Sequence, residues 1–229
     1  MVDQIFSYRE MCDQENSSLQ RGMNFRLNPN YSVILMSRRS NAPYNDQILE
    51  DGVSILYEGH DEPKSIGNLN PKLLDQPLRS KYGRLMQNGL FVKAVDEYKS
   101  GARSSEKVKV YEKVLPGVWS LKGMFDLMDY QFSNDGKRDV VSFKLKLSDQ
   151  QESERNLGNI DDSHNRLIPS SVKLEVWKRD KGACVICGSN KNLHFDHELP
   201  FSKGGTSLTA KNIRILCLKH NLSKSAKIE

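Results

Sequence analysis

Two short pairs of metal-ligand residues, set 29 residues apart, constrain this chain more than any other feature. Cys184-Val185-Ile186-Cys187 places two thiols on one tight turn, and Gly188 relaxes the backbone directly after them. Cys217-Leu218-Lys219-His220 supplies a third sulfur and an imidazole. Three thiolates and one imidazole form a closed tetrahedral set suited to structural Zn2+. The separation exceeds the roughly 15–20 residues between the halves of a compact zinc ribbon, so something is inserted between them.

The same segment is basic. Residues 171–229 hold nine Lys and two Arg against two Asp and three Glu, a net of +6, in a chain whose total is +5. The remainder is therefore close to neutral. Such asymmetry suits a segment that approaches a polyanion, most simply a phosphate backbone, although a solvated lysine-rich surface gives the same count. No apolar run nears the roughly 18 residues that a membrane span needs. Met1-Val2-Asp3-Gln4 also lacks the basic-then-apolar layout of a signal peptide, so the expected compartment is the cytoplasm. In that compartment, paired cysteines read as metal ligands rather than disulfides, and the lone Cys12 as an idle thiol.

Patterning divides the chain into four parts. Residues 1–30 are polar and weakly patterned, an N-terminal arm or helix. Residues 31–148 carry short apolar strands at 32–37, 53–57, 107–111 and 140–147, with a helical apolar stripe over 89–98 and a turn at Gly123-Met124-Phe125. Residues 149–169 have a linker composition. Residues 170–229 open on a helix from Val172 to Arg179, with Ser170 or Ser171 as its N-cap. The expected fold class is α+β: a β-rich curled sheet or barrel followed by a small zinc-stapled module.

The insert between the zinc halves carries the chemistry. It holds Leu193-His194-Phe195-Asp196-His197-Glu198, then Lys203-Gly204-Gly205 and Asn212, and Asn221-Leu222-Ser223-Lys224 follows the second half. A neutral imidazole can take a proton from water near pH 7, which suits His197 to a general base. Asp196 offers a carboxylate and Asn221 an amide oxygen, the hard donors that Mg2+ or Mn2+ prefers. Lys203, Arg214 and Lys224 are candidate phosphate contacts, each also readable as a solvated surface charge. Adjacent strand residues point to opposite faces, so Asp196 and His197 can share a site only where the strand ends. His194, set between apolar residues, reads as a packing histidine.

Residues 177–224 resemble the HNH, or ββα-metal, nuclease family. The resemblance implies metal-dependent hydrolysis of phosphodiesters with His197 as base. It implies Asp196 and Asn221 as ligands of the catalytic ion, and Asn212 as the residue fixing the loop that orients His197. His220, where zinc-containing members usually carry a cysteine, is assigned to the structural zinc with Cys184, Cys187 and Cys217.

Further resemblance lies upstream. Tyr44-Asn45-Asp46, Asp51-Gly52, Tyr57-Glu58-Gly59-His60-Asp61, Asp75-Gln76-Pro77 and Gln87-Asn88-Gly89 follow one another in an order similar to the SRA (YDG) family. The family's Tyr-Asp-Gly string is replaced by Leu121-Lys122-Gly123. The resemblance implies that Tyr44 and Tyr57 sandwich a flipped modified cytosine, with Asp46 bonding its edge. A structural reading competes: tyrosines at core edges and an aspartate capping a turn.

Together these features lead to the expectation of a modification-dependent, type IV-like restriction endonuclease. One domain reads 5-methylcytosine or 5-hydroxymethylcytosine in double-stranded DNA, and the other cuts nearby through a flexible tether. A homodimer on DNA follows from one nuclease site per chain. The competing readings are an HNH nuclease indifferent to base modification and a zinc-containing DNA-binding protein without catalysis.

Overall fold

Apolar and polar residues alternate along much of Lys107–Leu115 and Asp139–Leu147, and both segments are long strands of one large sheet. The computed structural model describes residues 3–63, 70–148, 167–199 and 203–225. In chain order its elements are β1 (Ile5–Ser7), α1 (Tyr8–Gln14), β2 (Met23–Asn28), β3 (Tyr31–Met36), β4 (Gln47–Ile48), β5 (Ser54–Glu58), α2 (Gln87–Lys99), β6 (Lys107–Leu115), β7 (Val118–Asn134) and β8 (Asp139–Leu147). There follow α3 (Ser170–Arg179), β9 (Leu193–His197), β10 (Ile213–Cys217) and α4 (Leu218–Ser225).

The main sheet runs β2-β3-β6-β7-β8-β5-β4, with β1 added on β7. Its path is open, with β2 and β4 at the ends, so the expected curled sheet is not a closed barrel among the described residues. Among the described residues only β3 and β6 pair in parallel. Their crossover carries β4, β5 and α2, and α2 lays Phe91, Ala94 and Val95 onto the core formed with Ile55, Phe125 and Phe143.

Three features depart from the sequence reading. The arm is structured: Phe6, Met11, Leu19 and Met23 are buried. A capping box starts α1, in which Ser7 Oγ accepts from Glu10 N at 3.2 Å and Glu10 Oε2 accepts from Ser7 N at 2.7 Å. Gly123-Met124-Phe125 is no turn, because β7 runs straight through it. Val110 faces Gly123 and Tyr111 faces Leu121, which leaves Lys122 as the extra residue of a bulge. Gly123 takes φ 138° there, a value that favours glycine. Finally, the N-cap of α3 is Pro169, which has no side-chain acceptor to offer, while Ser170 lies inside the first turn and gives its hydroxyl to Glu112.

Most of the expected linker, 149–166, lies outside the described residues. Its end is anchored: Leu167 and Ile168 are 2% and 0% exposed, in the main core and a second core respectively. That second core unites α3, β9 and β10, through Val172, Val176, Phe195 and Ile215, with Ile5 and Val114 from the main sheet. β9 and β10 form an antiparallel hairpin that runs directly into α4, a ββα unit.

Candidate functional site

Two groups of polar side chains stand out, one at each end of the molecule's chemistry. The first surrounds the turn after β5. Tyr57 is the last residue but one of β5, and its ring belongs to the main core. The residues that follow are held from several sides. Gly59 N donates to Val141 O at 2.7 Å, and Gly59 O accepts from Gln76 Nε2 at 2.7 Å. Gln76 Oε1 accepts from Val141 N at 3.0 Å. Asn88, inside α2, clamps His60 at both ends of its backbone, accepting from His60 N at 2.9 Å and donating to His60 O at 2.8 Å. A Cβ on Gly59 would meet Val141 Cγ1 at 2.6 Å and Asn88 Oδ1 at 2.8 Å, so the approach requires glycine.

Asp46 fastens this turn to the end of β3. Its Oδ2 accepts from Ser37 N at 2.9 Å and its Oδ1 from Glu58 N at 3.2 Å. Burial pushes its carboxyl up to about 7, against the pull of those two N–H groups. Arg138, buried beneath the turn, reaches Asp61 at 2.5 Å and Glu58 at 3.3 Å. These bonds make the turn a fixed platform.

On this platform sits the His60 ring. It stacks on Tyr44 with centroids 5.4 Å apart and planes 11° from parallel, while its Nε2 lies 3.1 Å from Tyr57 Oη. Burial brings His60 down to about 4, so the imidazole is neutral at pH 7. Lys72 Nζ stands 4.0 Å over the Tyr44 ring, with Asp61 2.9 Å from its nitrogen. Tyr44, Asp46 and Tyr57 all line one cleft of about 1190 Å³. They do not form an open sandwich, because His60 lies against both tyrosines. His60, Gln76 and Asn88 carry positioning roles that sequence reading left unassigned, although all three stand within the quoted strings.

The second group lies in the ββα unit. Cys184 Sγ and Cys217 Sγ lie 3.4 and 3.3 Å from His220 Nδ1, and Cys187 Sγ lies 3.8 Å from Cys217 Sγ. All four donor atoms fall within 4.8 Å of one another. A tetrahedral Zn2+ with Zn–S bonds of about 2.3 Å separates its sulfurs by ~3.8 Å, so the cluster can hold a zinc ion. Burial alone would raise the Cys184 thiol, but backbone N–H groups at Cys217, Cys187 and Ile186 and the His220 ring bring it down to about 6. Val185 N donates to Ile215 O at 3.0 Å, tying the first knuckle to β10.

Beside this staple, Asp196 and His197 occupy the last two positions of β9. Asp196 lies opposite Arg214 on β10, 3.6 Å from its Nε, and Lys224 of α4 reaches Asp196 Oδ2 at 2.7 Å. Lys224 also donates to the His197 carbonyl. Asn221 precedes Lys224 by three residues on α4, hence on the same helix face. His197 Nε2 lies 2.9 Å from Ser207 Oγ, a partner that no motif announced. Asn212 closes the intervening loop: its Oδ1 accepts from Leu199 N at 2.8 Å, and its Nδ2 donates to Leu199 O at 3.1 Å and Thr206 O at 3.0 Å. Asp196, His197, Asn212, Arg214, Asn221 and Lys224 therefore belong to one neighbourhood. Lys203 is exposed on the loop and forms no ion pair with Asp196 among the described residues. His194 is buried, with its ring nitrogen Nδ1 unpartnered, and burial lowers its pKa.

No family model matches the chain, and neither does any curated protein. Similar solved structures include the SUVH5 SRA domain in complex with methylated CHH DNA, at TM-score 0.44 and 19% identity over 64% of this chain and 88% of that one. The SUVH5 SRA domain bound to fully hydroxymethylated CG DNA gives 0.43 and 18%, over 62% and 85%. Arabidopsis thaliana SUVH6 in complex with SAM gives 0.44 and 16%, over 75% of this chain and 28% of that one. No helix among the described residues is long and apolar enough to cross a membrane.

Proposed function

We propose that this chain is a cytoplasmic, metal-dependent DNA endonuclease directed by 5-methylcytosine or 5-hydroxymethylcytosine, acting as a homodimer on DNA. The observation that carries the reading is the meeting of Asp196, His197 and Lys224 at the end of β9, beside a cluster fit for zinc. A purely DNA-binding finger needs no paired carboxylate and imidazole where a strand opens into a loop.

Asp196 and Asn221 are hard oxygen donors and would hold Mg2+ or Mn2+. When bound, such an ion supplies charge stabilisation to the scissile phosphate. His197 is oriented by Ser207 and takes a proton from water. Arg214 and Lys224 present positive charge to phosphate oxygens, and Asn212 keeps the loop around His197 closed. In the other domain, Tyr44 and Tyr57 give aromatic surface for an extruded base once His60 moves aside. Asp46, with a pKa near neutrality, can bond the edge of that base as acceptor or donor.

Incubation with Mg2+ or Mn2+ and otherwise identical unmodified, methylated and hydroxymethylated duplexes tests this. Cutting restricted to modified duplexes supports it. Equal cutting of all three leaves a nuclease indifferent to modification, and no cutting by protein that still binds DNA leaves a zinc-containing binding protein.

A further inference from the structure

A three-residue strand near the N-terminus joins the two halves of the molecule. β1 pairs with β7, Ile5 facing Ser120 and Ser7 facing Val118. One step earlier the same segment bonds both ways: Asp3 N donates to Leu121 O at 2.7 Å, while Asp3 O accepts from Phe195 N of β9 at 3.0 Å. Gln4 forms a bridge with His194. Backbone hydrogen bonding therefore runs from the main sheet through Asp3 and Gln4 into the ββα hairpin. Side chains of β1 alternate: Ile5 enters the core of the ββα unit, and Phe6 enters a third core with Met11, Tyr111 and Trp119.

Under this seam lie charges that no surface role explains. Lys122 of β7 sits 2.7 Å from Glu112 of β6, and Lys173 of α3 sits 2.8 Å from Asp3 and 3.7 Å from Glu112. The side chains of Lys122, Glu112 and Lys173 are fully buried. Lys173 Nζ also donates to Ser120 Oγ at 2.8 Å, and Lys122 Nζ to Ile168 O at 3.2 Å. Two cations and two anions balance, and every pair involving Lys173 crosses from α3 to the main sheet or to Asp3, just ahead of β1. Separating the halves would leave buried charges without partners, which is strongly unfavourable.

We infer that the Lys122–Glu112–Lys173–Asp3 cluster and the β1 seam lock the cytosine-reading domain to the nuclease unit, so that cutting falls at one fixed spacing from the base that is read. The spacing rests on the function proposed above; the lock does not. A rigid seam replaces the flexible tether that linker composition suggests, and residues 122, 112, 173 and 3 become determinants of cut position.

The chain's two tryptophans give one reporter per half: Trp119 in the third core and Trp177 on α3. Denaturation followed by fluorescence in Trp119→Phe and Trp177→Phe variants should give superimposable curves, because the halves unfold together. Curves with separated midpoints overturn the lock, whether or not the protein cuts DNA. On a duplex with a single modified cytosine, end-mapping should place the cut at one position on each strand. Lys173→Met should spread it over several positions while binding of the modified duplex persists. A spread already present in the parent overturns the fixed spacing. Should Lys173→Met fail to fold, the parent's cut map and the paired melting curves still decide. A parent that neither binds nor cuts modified DNA refutes the proposed function and leaves the melting curves to judge the lock alone.

Discussion

The rings of Tyr44 and His60 lie face to face, 5.4 Å between centroids and 11° from parallel. His60 therefore covers one face of the Tyr44 ring, and on the proposed function a flipped base would have to break this stack to enter. Such a stack is worth about 0.5–1.5 kcal/mol. His60→Ala should strengthen binding of a methylated duplex by roughly 2- to 10-fold, measured by fluorescence anisotropy. Markedly weaker binding would make His60 a contact of the base rather than its placeholder.

Asp46 and His60 make opposite contributions to stability against pH. Asp46 is pushed up from 3.8 to about 7, so from about pH 4 to 7 the folded state keeps a proton that the unfolded state has lost. Its contribution falls as pH rises, by up to about 1.4 kcal/mol per unit. His60 is brought down from 6.5 to about 4, so across that interval the unfolded state holds the extra proton and stability rises with pH. Thermal unfolding of Asp46→Asn across this range should therefore rise more steeply with pH than that of the parent. His60→Ala should fall more steeply. Identical slopes in all three proteins would refute both assignments.

Zinc content is the expectation for the Cys184, Cys187, Cys217 and His220 cluster. Metal analysis of purified protein should find one zinc per chain, and Cys217→Ala should lose it together with several degrees of melting temperature. His220→Cys should retain zinc, since a fourth thiolate fits the same tetrahedron. Full stability in a metal-free chain would remove the staple from the account.

His197→Ala should cut at least ~100-fold more slowly while binding modified duplex as the parent does. Ser207→Ala, which removes one hydrogen-bond partner of the ring and leaves the ring itself in place, should cost less. Undiminished cleavage by His197→Ala would end the proposed mechanism.

How much of this was legible in sequence depended on whether a residue's task leaves a local pattern. The cluster of Cys184, Cys187, Cys217 and His220 was legible because four ligands around one ion would dictate such spacing. β3, β5, β8 and α2 were legible from their apolar periods. β7 was missed at Gly123 because a bulge and a turn use the same residue for the same backbone conformation. Lys122 and Lys173 carry no sign of burial, since lysine is nearly always a surface residue and their partners lie on other elements. β1 escaped notice because a three-residue strand is shorter than any period. Tyr44, Asp46 and Tyr57 line one cleft, yet the stack of His60 on Tyr44 is tertiary and leaves no trace in spacing.

The most direct test of the central claim compares initial cleavage rates on three duplexes of one sequence, carrying cytosine, 5-methylcytosine or 5-hydroxymethylcytosine, with Mg2+ or Mn2+ present. The expected result is cutting of at least one modified duplex, little of the unmodified one, and cleavage slowed at least ~100-fold in His197→Ala. Equal rates on all three duplexes, or cutting that survives loss of His197, would contradict it.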